Sequence, residues 1–138
     1  KIEGLQALVQ EIRKEHGPIY GLVNNAAIGT PGILATMPTR EIEELVHLNT
    51  LAPMLLTKYA VRGMMASGGG RIINLASIIA FTGYNALSVY AATKASMIGF
   101  TRSLSREVGK VGVTVNAVAP GFINTAMTEG MDEAERGR

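Results

Sequence analysis

Two side chains set four residues apart, Tyr90 and Lys94 in Tyr90-Ala91-Ala92-Thr93-Lys94, could together move a proton. On a helix they share a face and can reach a common ligand. A phenol alone titrates near about 10, too high to exchange protons readily at neutral pH. A nearby ammonium favours the phenolate and brings the group toward the working range of a general acid or base. The spacing by itself is weak: in a chain of this composition, chance supplies such a pair about once in seven sequences, and a solvated helix pair explains it better. What changes the balance is Ser77, which ends an apolar run upstream of Tyr90. Its hydroxyl could donate to a substrate oxygen and hold a carbonyl in line for hydride. Tyr20, Tyr59 and Tyr84 are rivals for the acid, but Asn24, Gly63 and Ser88 stand where each would need its lysine.

Asn49 is a fourth candidate, because Pro53 lies four residues further on and has no N–H to give the Asn49 carbonyl. Two readings follow. A kink with a free carbonyl and a polar side chain could seat an ordered water that passes protons to Lys94 and on to Tyr90. Alternatively, Pro53 divides two helices and Asn49 caps the second.

Positioning these groups requires strands that end near them. Residues 19–23, 71–76 and 113–118 are apolar or β-branched runs and read as buried strands. Helical patterns alternate with them. The first runs from Ile2 to Gly17-Pro18. The second starts near Thr39 as its N-cap and runs through the apolar 51–65 region to Gly68-Gly69-Gly70. The third spans Ser88 to Val108, with Gly109 as the left-handed closing residue. Strands alternating with helices in this way imply an α/β fold with a doubly wound parallel sheet. Asn24-Asn25-Ala26-Ala27, Ser77 and Pro120-Gly121 each follow a strand, at the sheet edge where ligands of such folds bind.

Composition excludes other chemistries. A formal charge of +2 with no clustered basic face argues against nucleic acid or an anionic membrane surface. With no cysteine, and only His16 and His47, no metal site is expected. No stretch is long and apolar enough to span a membrane, and the first residues lack a signal-peptide core. A cytoplasmic protein is the expectation. The Gly68-Gly69-Gly70 run precedes a strand rather than opening a helix, so it reads as a flexible turn and not a phosphate loop.

The run from Ser77 through Lys94, followed by Pro120-Gly121-Phe122-Ile123-Asn124-Thr125, resembles the short-chain dehydrogenase/reductase family and is most similar to 3-oxoacyl-acyl-carrier-protein reductases. The resemblance reaches from the opening helix to about Met127 and includes Asn24-Asn25-Ala26 and Asn49 in the family's order and spacing. It implies an oxidoreductase that interconverts a ketone and a secondary alcohol with NAD or NADP. Tyr90 would be the general acid or base. Lys94 would hold the nicotinamide ribose and lower the Tyr90 pKa, and Ser77 would orient the substrate oxygen. Asn49 would be the fourth catalytic residue, which favours its water-site reading. Asn25 and Ala26 would lie against the adenosine ribose, and Ile123 and Thr125, just past Pro120-Gly121, against the carboxamide. Residues 127–138, a solvated segment by composition, would belong to a lid over the substrate. Dimers or tetramers would form through the helices of Asn49 and Tyr90, whose Ala91, Ala92, Ala95, Met97, Ile98 and Gly99 suit close packing.

Two features depart from the family. No Gly-x-x-x-Gly-x-Gly or Gly-x-Gly-x-x-Gly occurs, and Ala27 stands where glycine is usual. The expectation is one partial Rossmann-type domain over residues 1–138, the central and catalytic portion of a longer protein, with the first strands and final helix and strand absent. A specific 3-oxoacyl-acyl-carrier-protein reductase is an alternative within the class. A non-catalytic cofactor-binding or scaffold protein is the alternative outside it.

Overall fold

The computed structural model describes residues 2–121. Three parallel strands, β1 (Gly21–Asn24), β2 (Gly70–Leu75) and β3 (Val113–Val118), form one sheet in the order β1-β2-β3. The helices are α1 (Leu5–His16), α2 (Thr39–Val46), α3 (Ala52–Ser67), α4 (Ile79–Thr82) and α5 (Ser88–Val108). This is the Rossmann-type α/β arrangement expected from the alternating pattern. The short α4 was not expected. It occupies the turn between Ser77 and α5, too brief to show a helical period.

Alternation along the strands decides which face is packed. Ile72 on β2 and Val113 and Val115 on β3 point to the same side, where they meet Val61 and Met64 of α3 and Leu104 and Val108 of α5. Parallel pairing places Asn24 opposite Asn74, and Asn74 opposite Ala117. The carboxyl ends of all three strands are thereby aligned, and Ser77 follows β2 at that edge.

Two boundaries differ from expectation for local reasons. Thr39 is the first residue of α2, not its cap; Pro38 holds the cap position, without a side-chain capping bond. Gly109 is not left-handed; a 3-10 turn, Gly109–Val111, extends the chain first, and Gly112 takes the left-handed conformation at φ 83°. A Cβ on Gly112 would also lie 2.6 Å from the Gly68 carbonyl oxygen. In the Gly68-Gly69-Gly70 run, Gly68 closes α3 in the left-handed conformation at φ 83° with open space around it, whereas a Cβ on Gly70, the first residue of β2, would fall 2.5 Å from Met64.

Candidate active site

Ser77 leaves β2 and caps the following turn, its Oγ accepting the Ile79 N–H at 3.2 Å. Tyr90 lies in the first turn of α5, packed in a buried cluster with Ile79 and Leu87 and against half-buried Ile78, Tyr84 and Ala91. The Ser77 hydroxyl stands close enough to the Tyr90 phenol to favour its ionised form. Lys94 follows one turn later and is only 6% exposed. Its Nζ donates to the Leu75 carbonyl at 2.9 Å and stands 5.9 Å from the Tyr90 ring centre. The fold therefore brings Ser77, Tyr90 and Lys94 together as their order along the chain suggested.

The electrostatics are less simple than the sequence implied. Burial pushes the Tyr90 phenol above its ordinary value, and Ser77 partly opposes this. Burial also lowers the Lys94 ammonium. Ser77, not Lys94, is the neighbour that favours the phenolate in this structure.

Asn49 is buried in a π-helical turn, His47–Leu51, between α2 and α3. The Ala52 N–H bonds to the His47 carbonyl, five residues back instead of four. The missing N–H of Pro53 is thus accompanied by a widened turn and not by a simple kink. The side-chain amide does something the sequence did not reveal. Its Oδ1 accepts the Ile28 N–H at 2.9 Å, and its Nδ2 donates to the Ile28 carbonyl at 2.8 Å and to Thr93 Oγ1 at 3.1 Å. Thr93 in turn donates to the Tyr90 carbonyl at 2.7 Å. Asn49 clamps the loop after β1 to the helix that carries Tyr90.

Asn25 and Ala26 line a cavity of about 810 Å³ beside the end of β1, together with Ile28, Glu44, His47 and Pro53. Ser77, Tyr90 and Lys94 do not line it; the Asn49 clamp on Ile28 connects the two regions. Pro120 approaches the Ser77 turn through its carbonyl, which accepts the Ile78 N–H at 3.0 Å, and exposed Gly121 follows it. Ile123, Thr125 and residues 127–138 lie outside the described residues. No cluster of three or more potential metal ligands occurs among the described residues.

A buried polar row beneath the site escaped the sequence reading. Asn24 Nδ2 donates to Thr57 Oγ1 at 2.9 Å and to Asn74 Oδ1 at 2.7 Å. Asn74 Nδ2 continues to Thr101 Oγ1 at 2.9 Å, and Thr101 donates to the Met97 carbonyl at 2.6 Å. The available signal was an asparagine inside the apolar strand run Ile72-Ile73-Asn74-Leu75, which burial obliges to find partners.

Comparison with known proteins matches this arrangement. The short chain dehydrogenase family profile covers residues 1–136. Proteins named 3-oxoacyl-[acyl-carrier-protein] reductase are similar along nearly all of the chain. The one from Vibrio cholerae is 42% identical over 97% of this chain and 55% of its own length. The one from Homo sapiens is 38% identical over 96% and 56%. A crystal structure of a gluconate 5-dehydrogenase from Burkholderia cenocepacia in complex with NADP and tartrate superimposes with a TM-score of 0.92 at 26% identity, covering 97% of this chain and 53% of that one. The chain thus spans about half the length of the relatives it matches. With Ser77, Tyr90 and Lys94 assembled at the end of β2 and the family profile matched from end to end, the chain belongs to the short-chain dehydrogenase family.

Proposed function

We propose that the complete protein carrying this chain is an NAD- or NADP-dependent oxidoreductase interconverting a ketone and a secondary alcohol. The observation that carries the proposal is the burial of Ser77, Tyr90 and Lys94 together at a strand carboxyl end, with Lys94 Nζ bonded to the Leu75 carbonyl and 5.9 Å from the Tyr90 ring centre. The residues present fit a nicotinamide dinucleotide. Lys94 has three donors, of which the Leu75 carbonyl uses one, leaving others for ribose hydroxyls. The cavity bordered by Asn25 and Ala26 has room for a nucleoside. Pro120, Gly121, Ile123 and Thr125 complete the assignment at the nicotinamide end. When bound, the cofactor supplies or accepts the hydride.

The chain's own residues supply proton and position. Burial keeps the Tyr90 phenol protonated at neutral pH, the form that donates to a carbonyl oxygen as reduction proceeds. Ser77 donates to the same oxygen and holds it against Tyr90. In alcohol oxidation the phenolate accepts the proton, and Ser77 helps that form. Asn49 serves as a positioning residue through its bonds to Ile28 and Thr93, with a water site at its backbone as a second contribution.

Replacing Tyr90 with Phe should lower turnover by at least about 100-fold while retaining fold and cofactor affinity. Steady-state kinetics with parallel cofactor titration decides this, and an unchanged rate would remove Tyr90 from the mechanism. Failure of the unaltered protein on a broad panel of ketones and alcohols would favour the scaffold alternative. Reduction of 3-oxoacyl thioesters in particular is favoured by relatives of that name at 38–42% identity. The same proposal takes the enzyme as cytoplasmic and as a homodimer or homotetramer. Ala92, Ala95 and Gly99 support assembly, since they form an exposed face of small residues on α5, whereas Met97 is spent on the intramolecular core.

A further inference from the structure

Two adjacent residues of the π-helical turn, Asn49 and Thr50, reach α5 through separate hydroxyl relays. In the first, Asn49 Nδ2 donates to Thr93 Oγ1 at 3.1 Å, and Thr93 Oγ1 donates to the Tyr90 carbonyl at 2.7 Å. In the second, Thr50 Oγ1 and Ser96 Oγ stand 2.9 Å apart, and Ser96 Oγ donates to the Thr93 carbonyl. A hydroxyl has one proton to give. Ser96 gives its own to the Thr93 carbonyl, so Thr50 is the donor in their pair. Both relays therefore run from the π-helical turn into α5.

They end on different carbonyls. That of Tyr90 is also the helical acceptor for the Lys94 N–H, because an α-helix joins each carbonyl to the N–H four residues on. The first relay thus acts on the backbone link between the phenol and the ammonium. Its origin is equally specific. Asn49 holds both the N–H and the carbonyl of Ile28, which follows Asn25 and Ala26 in the loop after β1. The Gly32 N–H ties the same loop to the Ala86 carbonyl, ahead of α5, at 2.8 Å. Thr93 is 3% exposed and joins Asn49 to the Tyr90 backbone. A threonine in a helix has two rotamers open to it, and the Asn49 donor favours the one that bonds the carbonyl three residues back. We propose that Thr93 is a positioning residue, whose hydroxyl fixes Tyr90 and Lys94 against the loop after β1 so that proton donor and cofactor are held in register. The proposal rests on the oxidoreductase reading and adds to it a residue that acts through Tyr90.

The test compares Thr93→Val, Thr93→Ser and Thr50→Val in the complete protein. Each valine removes one relay at nearly unchanged side-chain volume. Thr93→Val should lower kcat for ketone reduction at least about tenfold with the cofactor KM held within about twofold. Thr93→Ala removes the same hydroxyl and should reproduce that loss. Thr93→Ser and Thr50→Val should both keep kcat within about threefold of the unaltered protein. Equal kcat losses in the two valine variants, or no loss in Thr93→Val, would overturn the proposal and leave the oxidoreductase reading intact. A second arm needs no turnover: carbon NMR of labelled tyrosine Cζ in the cofactor-free protein, with the Tyr90 signal assigned by its absence in Tyr90→Phe. Burial holds Tyr90 above the ordinary phenol range, so loosening it should move its titration midpoint down in Thr93→Val and leave it in place in Thr50→Val. Coincident midpoints in those two variants would overturn the proposal. If the unaltered protein reduces no ketone, the oxidoreductase reading fails, and the NMR arm alone decides whether Thr93 positions Tyr90.

Discussion

Burial drives Tyr90 and Lys94 toward their uncharged forms, and for the phenol that form is the acid. The consequence for pH follows by sign. With Tyr90 held above the ordinary phenol range, its proton stays on through neutral pH, so the Tyr90 contribution to ketone reduction should be flat there. Alcohol oxidation needs the phenolate, so its rate should climb with pH. Ser77 lowers the Tyr90 value, so Ser77→Ala removes a contribution that favours the phenolate. The alkaline limb of the oxidation profile should therefore move to higher pH in that variant. A pH–rate profile of kcat/KM checks it; a limb that stays in place would show that Ser77 acts on the substrate alone. Ser77, Tyr90 and Lys94 were legible as a group because their chemistry depends on residue type and order. The acceptor for Lys94 was not, since a backbone carbonyl leaves no mark in the sequence.

Between elements, the site is held by polar ties across long stretches of chain. Asn74→Leu would take the acceptor from Asn24 and the donor from Thr101 at a buried position. Destabilisation of about 1–3 kcal/mol is expected in urea unfolding. Ala86 is the one non-glycine residue with positive φ among the described residues, at 64°, four positions before Tyr90. The Gly32 bond to its carbonyl holds it there. An L-residue in that conformation costs about 1–2 kcal/mol, and glycine returns part of this through the unfolded chain. Ala86→Gly should therefore raise stability by about 0.5–1 kcal/mol by the same measurement; a loss would mean that the methyl group packs usefully. Strand and helix identities were readable from hydrophobic period. Their ends were not, because Thr39 and Gly109 each satisfy a local rule that the neighbouring backbone bonds override.

At the scale of the molecule, the described helices α3 and α5 cover one face of the sheet, while Val23, Ile73 and Val118 are exposed on the other. Parallel sheets are ordinarily covered on both faces. Expressed by itself, this 138-residue chain should therefore bind a hydrophobic dye. It should also give no measurable calorimetric signal with NAD or NADP, since no glycine-rich phosphate turn is present. Tight cofactor binding by the isolated chain would contradict that reading. No helix among the described residues is long and apolar enough to cross a membrane.

By itself the sequence determined the alternation of strands and helices, the residues at the strand ends, and the Ser77, Tyr90 and Lys94 group, because periodicity and side-chain chemistry are local properties. The tertiary structure alone decided how those groups are tuned and held. The Asn49 amide meets a backbone 21 residues away, Asn24 on β1 meets Asn74 on β2, and Lys94 reaches Leu75 from α5. Burial, which sets the direction of both pKa shifts, exists only once helices and sheet have closed on each other.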